Sequence, residues 1–188
     1  MGQESSKNGP RTIEELWSTG AVSLSDVETW IGDFMTKSGN RDYFTESDLI
    51  KHYQKSYTSG DASAFARDVF RVMDRDRNGK VDFKEFTLTM TSLTGDDVNK
   101  KIDWAFWFYD VNGDGTITYD ELKKMLKTIC SLEHGGNFKD KEGVDNLVKN
   151  IMSSMDTNHD GLITLSEFKD GFHKSEFCIG VLKKLATI

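Results

Sequence analysis

Proline and cysteine are both scarce in this 188-residue sequence, which has one proline and two cysteines. So little proline, with 29% charged and 37% hydrophobic residues, is typical of a helix-rich folded protein and argues against a disordered chain. Cys130 and Cys178 follow no metal-binding or disulfide spacing, and we interpret them as free thiols in a reducing compartment. Because no apolar run reaches transmembrane length and no secretory signal is present, we expect a cytoplasmic protein.

Signals of nucleic-acid binding and of catalysis are lacking as well. The net charge is −7 and there is no stripe of basic residues, which disfavours a nucleic-acid-binding surface. Gly79-Lys80 is followed by neither Ser nor Thr and lacks the upstream glycine of a phosphate-binding loop. The four histidines have no zinc-site spacing. The sequence therefore predicts a protein that is not an enzyme and has no nucleic-acid partner.

Three twelve-residue segments carry the ligand order of a calcium-binding loop: residues 74–85, 110–121 and 156–167, called here loops 2, 3 and 4. Oxygen-bearing side chains stand at positions 1, 3 and 5, glycine at position 6 allows the sharp turn, and glutamate at position 12 can supply two oxygens. Position 7 would contribute its backbone carbonyl and position 9 would act through water. Three such loops in regular order are not a chance run of turn residues. The predicted ligands are Asp74, Asp76, Asn78, Lys80, Asp82 and Glu85 in loop 2; Asp110, Asn112, Asp114, Thr116, Thr118 and Glu121 in loop 3; and Asp156, Asn158, Asp160, Leu162, Thr164 and Glu167 in loop 4.

Two further features of these loops predict local structure. A branched apolar residue stands at position 8 of each, and it should form a short strand contact with a partner loop; these residues are Val81, Ile117 and Ile163. Positions 9 and 12 have the spacing of a capping box, so the same side chains should also begin the helix that leaves each loop. We further expect Glu121 to move with its helix when an ion binds.

An earlier segment, residues 37–48 or loop 1, falls in the same frame but has lost the ligands. Lys37 and Arg41 occupy positions 1 and 5, where calcium needs oxygen atoms, and Gly39 occupies position 3. Asp42 replaces the glycine at position 6, and the shorter Asp48 stands at position 12. We interpret this segment as a structural hand that binds no calcium.

The helical periodicity around these loops predicts an all-α fold with four helix–loop–helix hands in two paired lobes. We expect short two-stranded contacts between paired loops. The N-terminal lobe is predicted at residues 1–94, and the C-terminal lobe, with a last helix in the tail from 175 to 188, at residues 95–188. The polar run 131–143 is predicted to be a loop.

The first six residues fit the pattern for N-myristoylation, with Gly2 as the acceptor and Ser6 at the required place. The alternative is an incidental Met-Gly start. If Gly2 is acylated, the myristoyl group would be a second cofactor beside as many as three calcium ions, and it would provide a contact with the membrane surface.

Taken together, these features resemble the neuronal calcium sensor family of EF-hand proteins over about residues 1–185. The loop 1 segment departs from that family, which usually has Cys-Pro where Gly39-Asn40 stands here. The most specific matching motifs are Val27-x-x-Trp30-x-x-x-Phe34, Trp104-Ala105-Phe106-x-x-Tyr109-Asp110 and Met155-Asp156-x-Asn158-x-Asp160-Gly161.

The resemblance implies a compact intracellular sensor that changes conformation with calcium and regulates a membrane-associated effector: a receptor kinase, guanylate cyclase, lipid kinase or channel. It also implies reversible or constitutive association with membranes. An apolar groove in the N-terminal lobe would hold a target helix or the acyl chain. By analogy its lining is Trp30, Phe34, Phe44, Tyr53, Phe65, Phe70, Phe86 and Leu88.

Three alternatives to this sensor remain open from the sequence. A calcium buffer without an effector would have the same loops. An EF-hand regulatory subunit of a phosphatase is also acylated, although its first hand normally binds calcium. A luciferin-binding or photoprotein type would share the aromatic-rich interior but fits the disabled first hand poorly.

Overall fold

The computed structural model describes residues 24–57, 61–134 and 141–172. Within them the chain forms eight helices and four short strands in the order α1-β1-α2-α3-β2-α4-α5-β3-α6-α7-β4-α8. The helices are α1 Leu24–Ser38, α2 Glu46–Ser56, α3 Ser63–Met73, α4 Phe83–Thr94, α5 Val98–Tyr109, α6 Tyr119–His134, α7 Lys141–Met155 and α8 Leu165–Phe172, and the strands are β1 Tyr43–Phe44, β2 Val81–Asp82, β3 Thr116–Thr118 and β4 Leu162–Thr164.

The four strands pair the four loops two by two. β1 runs antiparallel to β2, with Phe44 opposite Val81. β3 runs antiparallel to β4, with Ile117 opposite Ile163. These pairs are the position 8 residues, all buried, so the predicted contact between paired loops is confirmed. The predicted all-α fold of four hands in two pairs is confirmed with it, whereas the lobe boundary between residues 94 and 95 stays a prediction.

Helix α5 is largely buried over its second half, from Ile102 to Tyr109. Its sequence is apolar on nearly every side, and it packs on both pairs of hands: Phe108 lies 5.6 Å from the ring of Phe65 in α3, and Phe106 lies 5.6 Å from Phe168 in α8. Only Trp107 among its aromatic residues is exposed, at 45%. Helix α5 therefore connects the two pairs of hands.

The predicted loop at 131–143 is wrong at both ends. Helix α6 continues to His134, and α7 begins at Lys141. Leu132 extends the apolar stripe of α6 by one more turn and is only 1% exposed, because burial outweighs the polar residues around it. Residues 135–140 lie outside the described part of the chain.

Two other predictions fall outside the described residues: the acylation site at Gly2 and the tail helix at 175–188. In the described ranges every helix is too short or too polar to cross a membrane.

Candidate metal centres

Loop 3 is folded around the side chain of Asp110, its first predicted ligand. The fully buried carboxylate accepts hydrogen bonds from three backbone N–H groups, those of Gly113 at 2.8 Å, Asp114 at 3.2 Å and Gly115 at 2.9 Å. Gly115 has a φ of +89°, which favours glycine and explains why it stands at position 6. The backbone of loop 3 therefore wraps around the Asp110 carboxylate.

Glu121 closes loop 3 from the other end. Its Oε1 accepts the backbone N–H groups of Val111 and Asn112, both at 3.1 Å. Its Oε2 accepts the N–H of Thr118 at 3.0 Å and the hydroxyl at 2.7 Å, and the Glu121 N–H donates back to that hydroxyl. The predicted capping box is confirmed. The carboxylate already lies across the loop in this structure, so the expected movement of Glu121 stays a prediction.

Loops 2 and 4 repeat this arrangement. In loop 2, Asp74 accepts the N–H of Gly79 at 2.9 Å, and Glu85 accepts those of Arg75 at 2.9 Å and Asp82 at 3.2 Å. In loop 4, Asp156 accepts the N–H of Gly161 at 2.9 Å, and Glu167 accepts the N–H and hydroxyl of Thr164 at 3.0 and 2.8 Å. The same pattern of side chains, with aspartate at position 1 and glutamate at position 12, thus gives the same backbone hydrogen bonds in all three loops.

The position 12 glutamates of loops 2 and 4, Glu85 and Glu167, differ in electrostatic environment. Glu85 is 8% exposed, and burial raises its pKa even though backbone N–H groups favour the charged form. Glu167 is more exposed, and hydrogen bonds from Thr164 and Thr157 lower its pKa to about 2. A cation in loop 2 would therefore offset the desolvation of Glu85, which its backbone hydrogen bonds compensate only in part.

The donor set fits a calcium ion in size and in chemistry. Carboxylate oxygens of Asp74, Asp76 and Glu85 lie within 4.8 Å of one another. Two oxygens on opposite sides of a calcium ion at 2.3–2.6 Å are about 4.6–5.2 Å apart. In loops 3 and 4 the third position is an amide, Asn112 or Asn158, which donates to the carboxylate at position 5. All of the predicted side-chain ligands would offer oxygen atoms to the ion, as a hard cation requires.

Loop 1 has a different backbone. Helix α1 runs two residues into the loop, to Ser38 at position 2, whereas the helices before loops 2, 3 and 4 end just before position 1. The residues with positive φ are Gly39 and Asn40, at positions 3 and 4, instead of positions 4 and 6 as in the other loops. Lys37 points inward at 6% exposure, with its Nζ 5.6 Å from the ring centre of Phe86, and burial lowers its pKa.

A cation of the protein itself bridges the two ends of loop 1. Arg41 Nη2 donates to Asp48 Oδ2 at 2.5 Å, and Arg41 Nε donates to the carbonyl of Ser38 at 2.7 Å. The Asp48 carboxylate also accepts the N–H of Thr45 at 2.9 Å, so the capping box of α2 persists. A guanidinium thus joins positions 5 and 12 of the loop.

Comparison with known proteins agrees with this geometry. An EF-hand domain pair matches residues 99–172, and an EF-hand domain matches residues 65–93. Recoverin from Homo sapiens is 28% identical over 163 residues, which are 85% of this chain and 81% of that protein. Guanylyl cyclase-activating protein 1 is 25% identical in Lithobates pipiens and 26% in Gallus gallus, over 93% of this chain and over 80% and 82% of those proteins. The chain is an EF-hand protein, and its similarity to recoverin and to guanylyl cyclase-activating protein 1 supports the neuronal calcium sensor family. As an EF-hand protein it is a calcium-binding protein.

The predicted apolar groove is closed in the structure. All eight of its predicted lining residues are buried, and their rings pack on one another: Phe34 lies 5.7 Å from Phe44 and 5.6 Å from Phe86, and Tyr53 lies 5.3 Å from Phe65. Seven of the eight, all except Leu88, belong to one continuous core in this conformation. A groove open to a target stays a prediction that requires these helices to separate.

Replacing Arg41 by Gln tests the internal cation of loop 1. Partial burial alone would raise the pKa of Asp48, but hydrogen bonds from Thr45 and Arg41 lower it. Arg41→Gln should therefore raise the pKa of Asp48 toward the ordinary aspartate value, as measured by carbon-detected NMR titration. Because a depressed pKa stabilises the fold above the unfolded pKa of about 3.9, the variant should be less stable at pH 7 and equal to wild type at the acid end.

The control for that experiment is Arg41→Lys, which keeps the charge but loses the second donor to Ser38. Its effect on the pKa of Asp48 should be smaller. An Asp48 titration that is the same in Arg41→Gln and wild type would show that the ion pair does not exist in solution.

One contact of loop 3 has no counterpart in the motif. Arg71 of α3 donates from Nη1 to the backbone carbonyl of Asp110 at 3.0 Å. The sequence carried no signal for it, because Arg71 reads as an ordinary surface cation of an amphipathic helix and its partner lies 39 residues further along the chain.

Proposed function

We propose that this protein is a calcium sensor that binds the ion in loops 2, 3 and 4, changes conformation and regulates a membrane-associated effector. The observation that carries the proposal is a direct covalent link between loop and core. Glu85 is the last ligand of loop 2, and the next residue, Phe86, packs on Phe34 and Phe44 in the buried aromatic cluster. A shift of the glutamate therefore moves a ring of the predicted groove.

The residues of each loop would act as follows. Position 12 belongs both to the loop and to the first turn of the following helix, so its carboxylate transmits the loop's state to that helix. Crowded carboxylates such as Asp74, Asp76 and Glu85 repel one another, and a bound divalent cation would remove that repulsion. Loop 1, joined internally by Arg41 and Asp48, would stay as a fixed partner of loop 2.

The similar proteins and the family resemblance indicate which effectors to test. Two of the similar proteins are named as activators of guanylyl cyclase, so a guanylyl cyclase is the first effector to test. A receptor kinase, lipid kinase or channel is the alternative that the family resemblance offers. In each case the protein would act as a regulator rather than as an enzyme.

Membrane association would come from a myristoyl group on Gly2. A single chain gives a bilayer binding constant of roughly 10⁴ M⁻¹, which is weak enough to be reversed by hiding the chain. Intact-mass measurement after co-expression with an N-myristoyltransferase, with Gly2→Ala as control, would detect the acyl group. An unmodified mass in both would remove this part of the proposal and leave calcium binding untouched.

The test of the sensor itself combines calorimetry with an apolar fluorescent dye. We expect three calcium ions to bind at dissociation constants of about 10⁻⁷–10⁻⁵ M, the range of sensor loops. Dye fluorescence should rise several-fold on calcium addition, because the buried aromatic cluster becomes accessible. The triple variant Glu85→Gln, Glu121→Gln, Glu167→Gln should show neither response.

A calcium buffer is the second candidate, because the position 12 glutamates already lie in their loops and the aromatic cluster is closed. In that case calcium would bind but the dye signal would not change. No micromolar binding at all would contradict both functions, and ion binding in loop 1 would contradict the assignment of three sites.

A further inference from the structure

Arg71 of α3 links the two pairs of hands, because it contacts the backbone at the end of α5 and the start of loop 3. Arg71, in the last turn of α3, donates from Nη1 to the carbonyls of Trp107 at 3.3 Å and Asp110 at 3.0 Å, and from Nη2 to the carbonyl of Phe108 at 2.8 Å. All three acceptors belong to the C-terminal end of α5 or to the first residue after it. The arginine thus holds the point where α5 becomes loop 3.

The chemistry of a helix end explains this choice of residue. The last carbonyls of α5 have no partner within the helix and carry the negative end of its dipole. A guanidinium has five N–H donors in one plane, so it can serve several such carbonyls at once, which a lysine ammonium cannot do in the same geometry. Arg71 is therefore a C-terminal cap of α5 that is supplied by another hand.

Other contacts support the same junction. Asp68, one turn earlier in α3, lies 3.7 Å from Lys124 of α6, and the ring of Phe65 packs at a tilt against Phe108 of α5. The Nη2 atom of Arg77 in loop 2 lies 3.5 Å from the place where a Cβ would stand at Gly113 of loop 3. Hand 2, which consists of α3, loop 2 and α4, therefore contacts all three parts of hand 3, namely α5, loop 3 and α6.

The charges around Arg71 connect it to the candidate ligands. Burial lowers its pKa, while the carboxylates of Asp68, Asp110 and Glu121 favour its charged form. Asp110 and Glu121 are the first and last predicted ligands of loop 3. A change in the net charge of loop 3 therefore changes the electrostatic interaction with Arg71, which belongs to hand 2.

We propose that Arg71 couples loop 3 to hand 2, so that occupancy of loop 3 alters the calcium affinity of loop 2. The inference rests on the proposed function, because it requires that both loops bind calcium. Reciprocity requires the converse effect of loop 2 on loop 3 by the same factor.

A thermodynamic cycle on the full chain tests this coupling. The backbone amides of Gly79 and Gly115 each donate to the first ligand of their own loop, so their NMR signals report loops 2 and 3 separately. Calcium titrations of the Gly79 signal are first compared between wild type and Glu121→Gln. They are then compared between Arg71→Met and the double variant Arg71→Met, Glu121→Gln, which gives the effect of Glu121→Gln without Arg71. We expect Glu121→Gln to change the loop 2 dissociation constant by roughly fivefold or more with Arg71 present, and by less than twofold without it.

The matched control is Arg67→Met on the same helix. Arg67 pairs with Glu46 of hand 1 at 3.3 Å and is 57% exposed, so its removal takes away one charge without touching α5. Here Glu121→Gln should change the loop 2 affinity as much as in wild type. An equal change with and without Arg71, or no change in wild type, would overturn the inference.

Failures of folding and of function are separated in the same experiment. Should Arg71→Met not fold, Arg71→Lys keeps the stem and the charge and should also reduce the coupling, because one ammonium cannot span the three carbonyls. A wild-type protein whose Gly79 and Gly115 signals ignore micromolar calcium would contradict the proposed function. Normal titrations with unchanged coupling would contradict only the role of Arg71.

Discussion

Glu121→Gln should weaken calcium binding at loop 3 by about two orders of magnitude, from a dissociation constant of about 10⁻⁷–10⁻⁵ M to roughly 10⁻⁵–10⁻³ M. The substitution replaces a carboxylate that can offer two oxygens to the ion by an amide that offers one. It also places an NH₂ group against backbone donors, since the Glu121 carboxylate now accepts the N–H groups of Val111, Asn112 and Thr118. Calcium titration followed at the Gly115 amide would measure the loss.

Asp120→Asn is the control for this prediction. It changes the net charge by the same amount one residue away, but Asp120 is exposed and lies outside the predicted donor set. Its effect on loop 3 should stay within about threefold, as expected of a screened surface charge. If Glu121→Gln left the Gly115 titration unchanged, loop 3 would not be a calcium site of this type.

The geometry of the loops could be predicted in detail because it depends on residues that are close together in the sequence. Asp110 needs only the next five residues to complete its hydrogen bonds, and Glu121 needs only Thr118 to begin α6. Even the pairing of Ile117 with Ile163 follows from a local rule, the branched residue at position 8. Where the interaction is local, the pattern of residue types is sufficient.

The sequence did not predict those features that depend on residues far apart in the chain. The run 131–143 has polar composition, yet the burial of Leu132 against the rest of the core extends α6 through part of it. Arg71 acquires its role from carbonyls 36 to 39 residues away, and backbone carbonyls leave no mark in the side-chain sequence. Likewise the same aromatic residues suit a closed core and an open groove, so the sequence alone does not choose between them.

Phe86→Ala should lower the free energy of unfolding by about 3–5 kcal/mol, the usual loss for a buried phenylalanine. Phe86 is 0% exposed and lies at the centre of the aromatic cluster, with ring centres 5.6 Å from Phe34 and 6.2 Å from Phe44. Its removal would leave a cavity that rigid neighbours cannot fill. Urea denaturation of the calcium-free protein, followed by circular dichroism, would measure the change.

Trp107→Ala provides the comparison, because it removes a larger ring that is 45% exposed and should cost about 1 kcal/mol or less. A similar loss for both variants would mean that the cluster around Phe86 is not packed as described. The same pair also bears on the sensor mechanism. If calcium works by separating the helices around this cluster, Phe86→Ala should bind apolar dye before calcium is added, whereas Trp107→Ala should still require the ion.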